Sequence, residues 1–170
     1  MFDSSVLGVD PGVASVGIAV VAGADRKPTL LWAGTVRTPA GVAESERLLI
    51  IYRAVAAAIA EHRPASVAVE RVAWNTNQVS ALGVARSTGV ILLAASEAGL
   101  PVQEYGPLEV KMAVTGMGNA AKGQVRDALS RLHGLAGVPE QADAADAVAV
   151  ALCHLQQSRL RNLAKGVGVP

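Results

Sequence analysis

Apolar residues in the first part of the chain occur in short runs separated by polar or glycine-containing turns. Residues 6–10 form such a run, which ends in an aspartate and is followed by Pro11-Gly12. That pattern is typical of a buried strand that ends in a turn. Two further runs occupy residues 15–22 and 29–37, and together the three runs predict a meander of antiparallel strands.

The pattern changes after this meander, because apolar positions from Gly41 to His62 recur at helical spacing. Arg63-Pro64 predicts the end of that helix, since proline cannot continue it. The remaining predicted elements are a strand at 66–70, a helix of about twenty residues after the polar stretch 74–78, a strand near 101–104, and helices over most of 107–157.

This order of elements predicts an α/β domain with a mixed five-stranded sheet and helices on both faces. The strand at 66–70 is reached through a helix, so we expect it to run parallel to a neighbour. A classical dinucleotide-binding fold would alternate strand and helix from its start. We expect one domain over residues 1–158 and a flexible basic tail over 159–170, which is rich in Arg, Lys and Gly.

Composition narrows the class of protein only slightly. The single cysteine, Cys153, has apolar neighbours and is predicted to be a core thiol in a reducing, cytoplasmic protein. No apolar run has the length of a membrane span, and the N-terminus lacks the pattern of a secretory signal. The net charge of +1 is by itself a weak argument for nucleic-acid binding, because strong DNA binders usually show a basic excess.

Four acidic residues stand on apolar elements, where an uncompensated charge costs free energy. Asp10 and Glu70 each end a predicted buried strand, while Asp143 and Asp146 are three positions apart at the start of an apolar helix. Parallel neighbouring strands would bring the first pair together at one edge of the sheet. Residues three apart share a helix face, so the second pair would also face a common site.

Each acid taken alone has an ordinary structural explanation. Asp10 could simply open the Pro11-Gly12 turn, Asp143 could cap a helix, and Asp146 could interact with the helix dipole. Together, however, the four acids favour a site that binds a cation. A set of carboxylate oxygens selects Mg²⁺ or Mn²⁺ over zinc.

Three segments carrying these acids resemble, in order and spacing, the catalytic blocks of the RuvC family of Holliday-junction resolvases. They are GVDPGVASVG, VAVERV and PEQADAADAVAVALCH, and the resemblance extends from about Val6 to His154. It implies an RNase H-like fold, a homodimer, and symmetrical cleavage of two strands of a four-way DNA junction. It also implies that two Mg²⁺ or Mn²⁺ ions are bound by the four catalytic carboxylates, which match Asp10, Glu70, Asp143 and Asp146.

Candidate DNA contacts are basic residues near these blocks. Lys111 and Lys122 match two lysines that the family uses toward DNA, and Arg126 follows Lys122 by four positions. Arg71 and Arg86 are further candidates near the second long helix. The alternative for all of them is an ordinary solvated surface.

One segment departs from the family pattern. Ala73 stands where members usually carry an aromatic residue that stacks on junction bases, and the neighbouring Trp74 is the candidate replacement. Trp74 could instead pack against its own helix or a partner subunit. The helix over about 77–98 contains small residues that would permit close helix packing, either in a dimer or against the sheet.

The resemblance further implies that the protein acts together with a branch-migration helicase complex. Two alternatives stay open at this point. A related RNase H-like nuclease would use the same acids on RNA or RNA–DNA hybrids, and a junction-binding protein would bind well but cleave weakly.

Overall fold

A computed structural model describes residues 5–23, 27–72 and 78–166 of the chain. The strands of this part are β1 (Ser5–Asp10), β2 (Ser15–Gly23), β3 (Pro28–Arg37), β4 (Ser66–Glu70) and β5 (Val102–Tyr105). The helices are α1 (Glu44–His62), α2 (Gln78–Glu97), α3 (Pro107–Thr115), α4 (Lys122–Arg131) and α5 (Ala142–Gly166). Among these residues, no helix is both long enough and apolar enough to cross a membrane.

The strands form one five-stranded sheet in the order β3-β2-β1-β4-β5. The pairs β1–β2 and β2–β3 are antiparallel, whereas β4 runs parallel to both β1 and β5. The predicted mixed sheet, including the parallel placement of β4, is therefore confirmed.

Side chains along each strand point alternately to the two faces of the sheet, so the interior consists of two apolar layers. On β1, Leu7 and Val9 belong to the layer covered by α1 and α2, whereas Val6 belongs to the layer covered by α3, α4 and α5. Successive side chains of a strand point to opposite faces, so helices on both sides are needed to bury them. The predicted α/β fold with helices on both faces is confirmed.

Helix α5 lies unusually close to the sheet because glycines face it. A Cβ atom placed on Gly8 would lie 2.2 Å from the carbonyl oxygen of Ala147, and one on Gly17 would lie 1.8 Å from that of Asp143. Only glycine permits an approach of this kind. The two glycines thus place the first turns of α5 directly over β1 and β2.

The C-terminal part of α5 differs from the predicted loose tail. The helix does not stop at Ser158 but continues to Gly166, and residues 167–170 lie outside the described part. Arg161 donates one hydrogen bond to Tyr105 Oη (3.0 Å) and one to Gln103 Oε1 (3.4 Å). These contacts attach the helix extension to β5, which the basic composition of the segment did not reveal.

Candidate active site

The first two acids are neighbours across parallel strands. The register of β1 and β4 pairs Val9 with Val69, so Asp10 and Glu70 come next on adjacent strands, at the same edge of the sheet. Their side chains are hydrogen-bonded to each other. Asp10 is the last residue of β1, and it contributes a carboxylate to this edge besides preceding a turn.

Both of these side chains point toward α5. Gly8, two residues before Asp10, lies against α5, and Ala68, two residues before Glu70, belongs to the layer that α5 covers. Residues two apart on a strand share a face, so the carboxylates extend into the space below the start of α5.

The second pair of acids reaches this space from above. Asp143 lies in the first turn of α5 and Asp146 follows one turn later, both partly buried. The helix begins at Ala142, so Asp143 is a first-turn residue and not the N-cap. The negative charges of both aspartates act on Asp10, which places all four acids in one electrostatic cluster.

Crowding of carboxylates changes their protonation. Burial, followed by the charges of Glu70, Asp146 and Asp143 and the hydrogen bond to Glu70, raises the pKa of Asp10 to about 8. Burial also raises the pKa of Glu70, against the opposing effects of the hydrogen bond from Asp10 and the charges of Lys122 and Lys111. The ionised cluster is therefore unfavourable unless a cation compensates it.

Two of the acids have partners of other kinds. Ser15, at the start of β2, donates a hydrogen bond of 2.5 Å from its hydroxyl to Asp143 Oδ2. The ammonium group of Lys122 lies 2.7 Å from Asp146 Oδ2. Ser15 was not predicted from the sequence, and nothing in its sequence context distinguishes it from an ordinary strand residue.

Each of the four acids thus has a hydrogen-bond or ion-pair partner. Within the described ranges, no three acidic, histidine or cysteine side chains form a ready-made ligand set for a metal ion. Asp10 and Glu70 are instead hydrogen-bonded to each other, Ser15 is hydrogen-bonded to Asp143, and Lys122 is paired with Asp146. The chemistry of the donor set nevertheless fits a hard divalent cation, because all four predicted ligands are carboxylates and their mutual repulsion needs positive charge.

Three of the predicted DNA-contacting residues surround this edge. Lys111 is half-buried on α3, and its charge reaches Glu70. Arg71 directly follows β4 and donates a hydrogen bond to the carbonyl of Glu104 at 3.3 Å. Lys122 begins α4 and contacts Asp146 as described.

The other predicted contacts lie elsewhere. Arg126 is exposed on α4, one turn after Lys122. Arg86 is on α2 and forms an ion pair with Glu44 of α1, on the face of the sheet opposite the acids. Trp74 and the departure at Ala73 lie outside the described residues.

The other reactive side chains are engaged away from the acids. Cys153 is fully buried, and its burial raises the pKa of the thiol to about 12, as the prediction of a core thiol requires. His154 lies between Tyr105 Oη (3.0 Å) and Ser66 Oγ (3.1 Å). His133 contacts the carbonyl oxygen of Val114. The chemistry of the cluster therefore depends on carboxylates, one hydroxyl and lysines.

Comparison with known proteins gives consistent matches over the same region. A family model described as crossover junction endodeoxyribonuclease RuvC matches residues 6–154. Curated relatives of that name from Syntrophomonas wolfei and Salinispora arenicola are 44% and 46% identical, over 91% and 92% of this chain and 90% of each relative.

Solved structures agree with the sequence comparison. Thermus thermophilus RuvC in complex with a Holliday junction substrate is 37% identical, with a TM-score of 0.85 over 92% of this chain and 96% of that one. The yeast mitochondrial Holliday junction resolvase is 14% identical with a TM-score of 0.69, so it shares the fold.

Proposed function

The chain belongs to the RuvC family of crossover junction endodeoxyribonucleases, and we propose that it resolves Holliday junctions by hydrolysing phosphodiester bonds in two opposing strands. The observation that carries this proposal is the convergence of carboxylates from β1, β4 and α5 on one edge of the sheet. A phosphodiester resists hydrolysis because its negative charge repels a nucleophile, so a site for cations is what the reaction needs.

Nucleases of this family depend on divalent metal, and we propose Mg²⁺ or Mn²⁺, two ions per site, held by Asp10, Glu70, Asp143 and Asp146. When bound, such ions activate water for attack and stabilise the leaving oxygen. The protein's contribution is to fix the carboxylates: strand register aligns Asp10 with Glu70, and the glycine-lined approach of α5 brings the other two aspartates over them.

Lysines at the same edge supply positive charge from the protein itself. Lys122 neutralises Asp146, and Lys111 acts on Glu70. We propose that both contact the sugar–phosphate backbone, since phosphate contacts position a nucleic acid without reading its sequence. Arg71, which directly follows β4, and the exposed Arg126 of α4 are further proposed contacts with the DNA backbone. Trp74 remains a proposed contact for more distant parts of the junction. Arg86 lies four positions after Leu82 on the exposed face of α2, so it is proposed to contact DNA at the border of the subunit contact that α2 is proposed to form.

Two symmetrical cuts call for two active sites related by a twofold axis, so we propose a homodimer. Helix α2 is the proposed contact because Leu82 and Leu93 are 53% and 51% exposed. With Gly89, which is also exposed, they follow the i, i+7, i+11 spacing of one helix face. The small residues Ala81 and Gly83 point inward, since Ala81 is buried and Gly83 lies against Val13.

Junction DNA is the proposed substrate, and a branch-migration helicase complex is the proposed cellular partner, by analogy with the family. A cytoplasmic location agrees with the single buried thiol.

The decisive comparison uses wild-type protein, Asp10→Asn and the control Asp127→Asn, whose exposed carboxylate lies on α4. Each is tested on a labelled four-way junction with Mg²⁺ and with Mn²⁺. We expect symmetrical cleavage by wild type and by the control, whereas Asp10→Asn should bind the junction without cutting it.

The same assay separates the two alternatives. Faster cleavage of an RNA–DNA hybrid than of the junction would indicate a different RNase H-like nuclease. Tight junction binding by wild type with no cleavage under either metal would indicate a binding protein. Either result would overturn the proposed function.

A further inference from the structure

The loop of residues 11–14 connects β1 to β2, and both of its ends lead into the acid cluster. It begins directly after Asp10 and ends before Ser15, which donates its hydrogen bond to Asp143. The conformation of this loop therefore fixes one acid directly and a second acid through Ser15.

Carbonyl groups of the loop accept hydrogen bonds from residues outside it. Ser87 of α2 donates a hydrogen bond of 2.9 Å from its hydroxyl to the carbonyl of Gly12. Thr38, just after β3, donates its hydroxyl to the carbonyl of Val13 at 2.5 Å and its backbone N–H to that of Ala14 at 3.1 Å. Three successive carbonyls thus have donors from elements distant in sequence.

The two hydroxyl groups are buried, which makes them unusual among the polar groups of this molecule. Ser87 is 0% exposed and Thr38 is 8% exposed. Arg47 of α1 donates from Nε to Thr38 Oγ1 at 2.8 Å, so this hydroxyl both accepts and donates and its rotation is fixed. A Cβ atom on Gly83 would lie 2.8 Å from Val13 Cγ2. Helix α2 and the loop are therefore also closely packed at this point.

We propose that Thr38, Arg47 and Ser87 are positioning residues that hold the 11–14 loop, and through it Asp10 and Ser15, in the geometry that cleavage needs. They act from the α1–α2 side of the sheet, opposite the carboxylates. The inference rests on the proposed function, because it concerns the alignment of that same site. Small displacements of a catalytic group reduce rates strongly, and supporting hydrogen bonds set metal affinity.

A purely structural role would leave the cleavage rate unchanged at temperatures where the variant stays folded. The chain offers a matched control next to Ser87: the buried Thr88 hydroxyl donates a hydrogen bond of 3.0 Å to the carbonyl of Val84 within its own helix, whereas Ser87 donates to the loop. Ser87→Ala and Thr88→Val each remove one buried hydroxyl from α2. Thr38→Val removes the second loop donor, and Thr38→Ser keeps it.

The experiment measures single-turnover cleavage of a labelled four-way junction at saturating protein, the half-maximal Mn²⁺ concentration, and Mn²⁺ binding without DNA by calorimetry. We expect cleavage by Ser87→Ala and Thr38→Val to fall about 10- to 100-fold, with junction affinity within about twofold of wild type. Mn²⁺ affinity should fall about 10-fold. Thr88→Val and Thr38→Ser should behave as wild type.

Thermal unfolding confirms that each variant is folded at the assay temperature. If Ser87→Ala fails to fold, Arg47→Gln, at a half-buried position, is tested in its place. We expect its cleavage rate and its Mn²⁺ affinity to fall as well. Wild-type cleavage together with unchanged rates and Mn²⁺ affinity in the folded variants would overturn the inference and leave the proposed function intact. Absence of cleavage by the wild type would overturn the proposed function itself.

Discussion

The Ser15 hydroxyl donates a 2.5 Å hydrogen bond to Asp143, although 128 positions separate the two residues in sequence. The contact exists because Gly17, two residues further along β2, lets the first turn of α5 settle onto the sheet. It fixes the Oδ2 atom of Asp143. The strand thereby orients a carboxylate that belongs to the helix.

Removing this hydroxyl should leave the Asp143 carboxylate less firmly oriented. We expect Ser15→Ala to lower the junction cleavage rate about 10-fold, as for other hydrogen bonds that orient metal ligands. Single-turnover kinetics on a labelled junction measure the effect, and Ser45→Ala, at an exposed position in the first turn of α1, is the control. Equal rates for the two variants would show that Ser15 has no orienting role.

Gly17 should be indispensable for the placement of α5. A methyl group there would meet the carbonyl oxygen of Asp143, so Gly17→Ala should displace the helix and cost about 1–3 kcal/mol in the free energy of unfolding. Gly41→Ala, where a Cβ atom has no neighbour within 4 Å, is the matched control. The free energy of unfolding, measured in urea, and the cleavage rate should both fall in Gly17→Ala and stay unchanged in Gly41→Ala. Full cleavage activity in Gly17→Ala would contradict this packing.

Lys122 should matter more for DNA than for stability. Its ion pair with Asp146 has a lysine side chain that is 71% exposed, and exposed pairs contribute little to folding. Lys122→Met should therefore leave the unfolding free energy nearly unchanged. Junction affinity should fall, and the slope of log affinity against log salt should decrease by about one. Lys27→Met, on the segment between β2 and β3, should leave that slope unaltered.

The raised pKa of Asp10 predicts a pH-dependent cost to folding in the absence of metal. The folded protein holds a proton on Asp10 up to a pKa of about 8, against an ordinary value of 3.8. The contribution of this proton to the free energy of unfolding is fully present below about pH 4 and is lost as the pH rises toward 8. Asp10→Asn should thus be more stable than wild type at pH 8 by at least about 1 kcal/mol, with a smaller difference at pH 5.

Urea unfolding with a chelator at the two pH values measures this difference. Adding Mg²⁺ should then stabilise wild type and leave Asp10→Asn much less affected, because metal binding to the folded state shifts the equilibrium. A stability difference that is the same at pH 5 and pH 8 would contradict the repulsion among the acids.

The exposed face of α2 predicts the oligomeric state. Leu93→Arg places a charge in the proposed contact between subunits, where an unpaired buried charge is costly. Light scattering should show a dimer for wild type and a monomer for the variant. Leu132→Arg, at a leucine that is 71% exposed beyond α4, should remain dimeric; a dimer in both variants would exclude this face.

Much of this arrangement could be predicted from local patterns. The apolar runs that end at Asp10 and Glu70, and the connection through a helix, together indicate parallel strands with acids at one edge. The spacing of Asp143 and Asp146 likewise indicates a common helix face. These inferences needed only periodicity and chain order.

Contacts made across the fold could not be predicted in this way. Ser15, Thr38 and Ser87 act through hydrogen bonds whose partners are set by strand register and helix packing, and a lone hydroxyl in a sequence carries no sign of its partner. The extension of α5 past Ser158 has a similar cause, because Arg161 is held by Tyr105 on β5. Composition alone suggested a loose tail there.

The proposed function requires carboxylates from β1, β4 and α5 to bind a pair of divalent ions. Anomalous diffraction from crystals grown with Mn²⁺ tests it most directly. We predict two adjacent peaks per chain, contacted by Asp10, Glu70, Asp143 and Asp146, and loss of both peaks in Asp10→Asn. Mn²⁺ peaks that lie away from these carboxylates, or none at concentrations that support cleavage, would contradict the account.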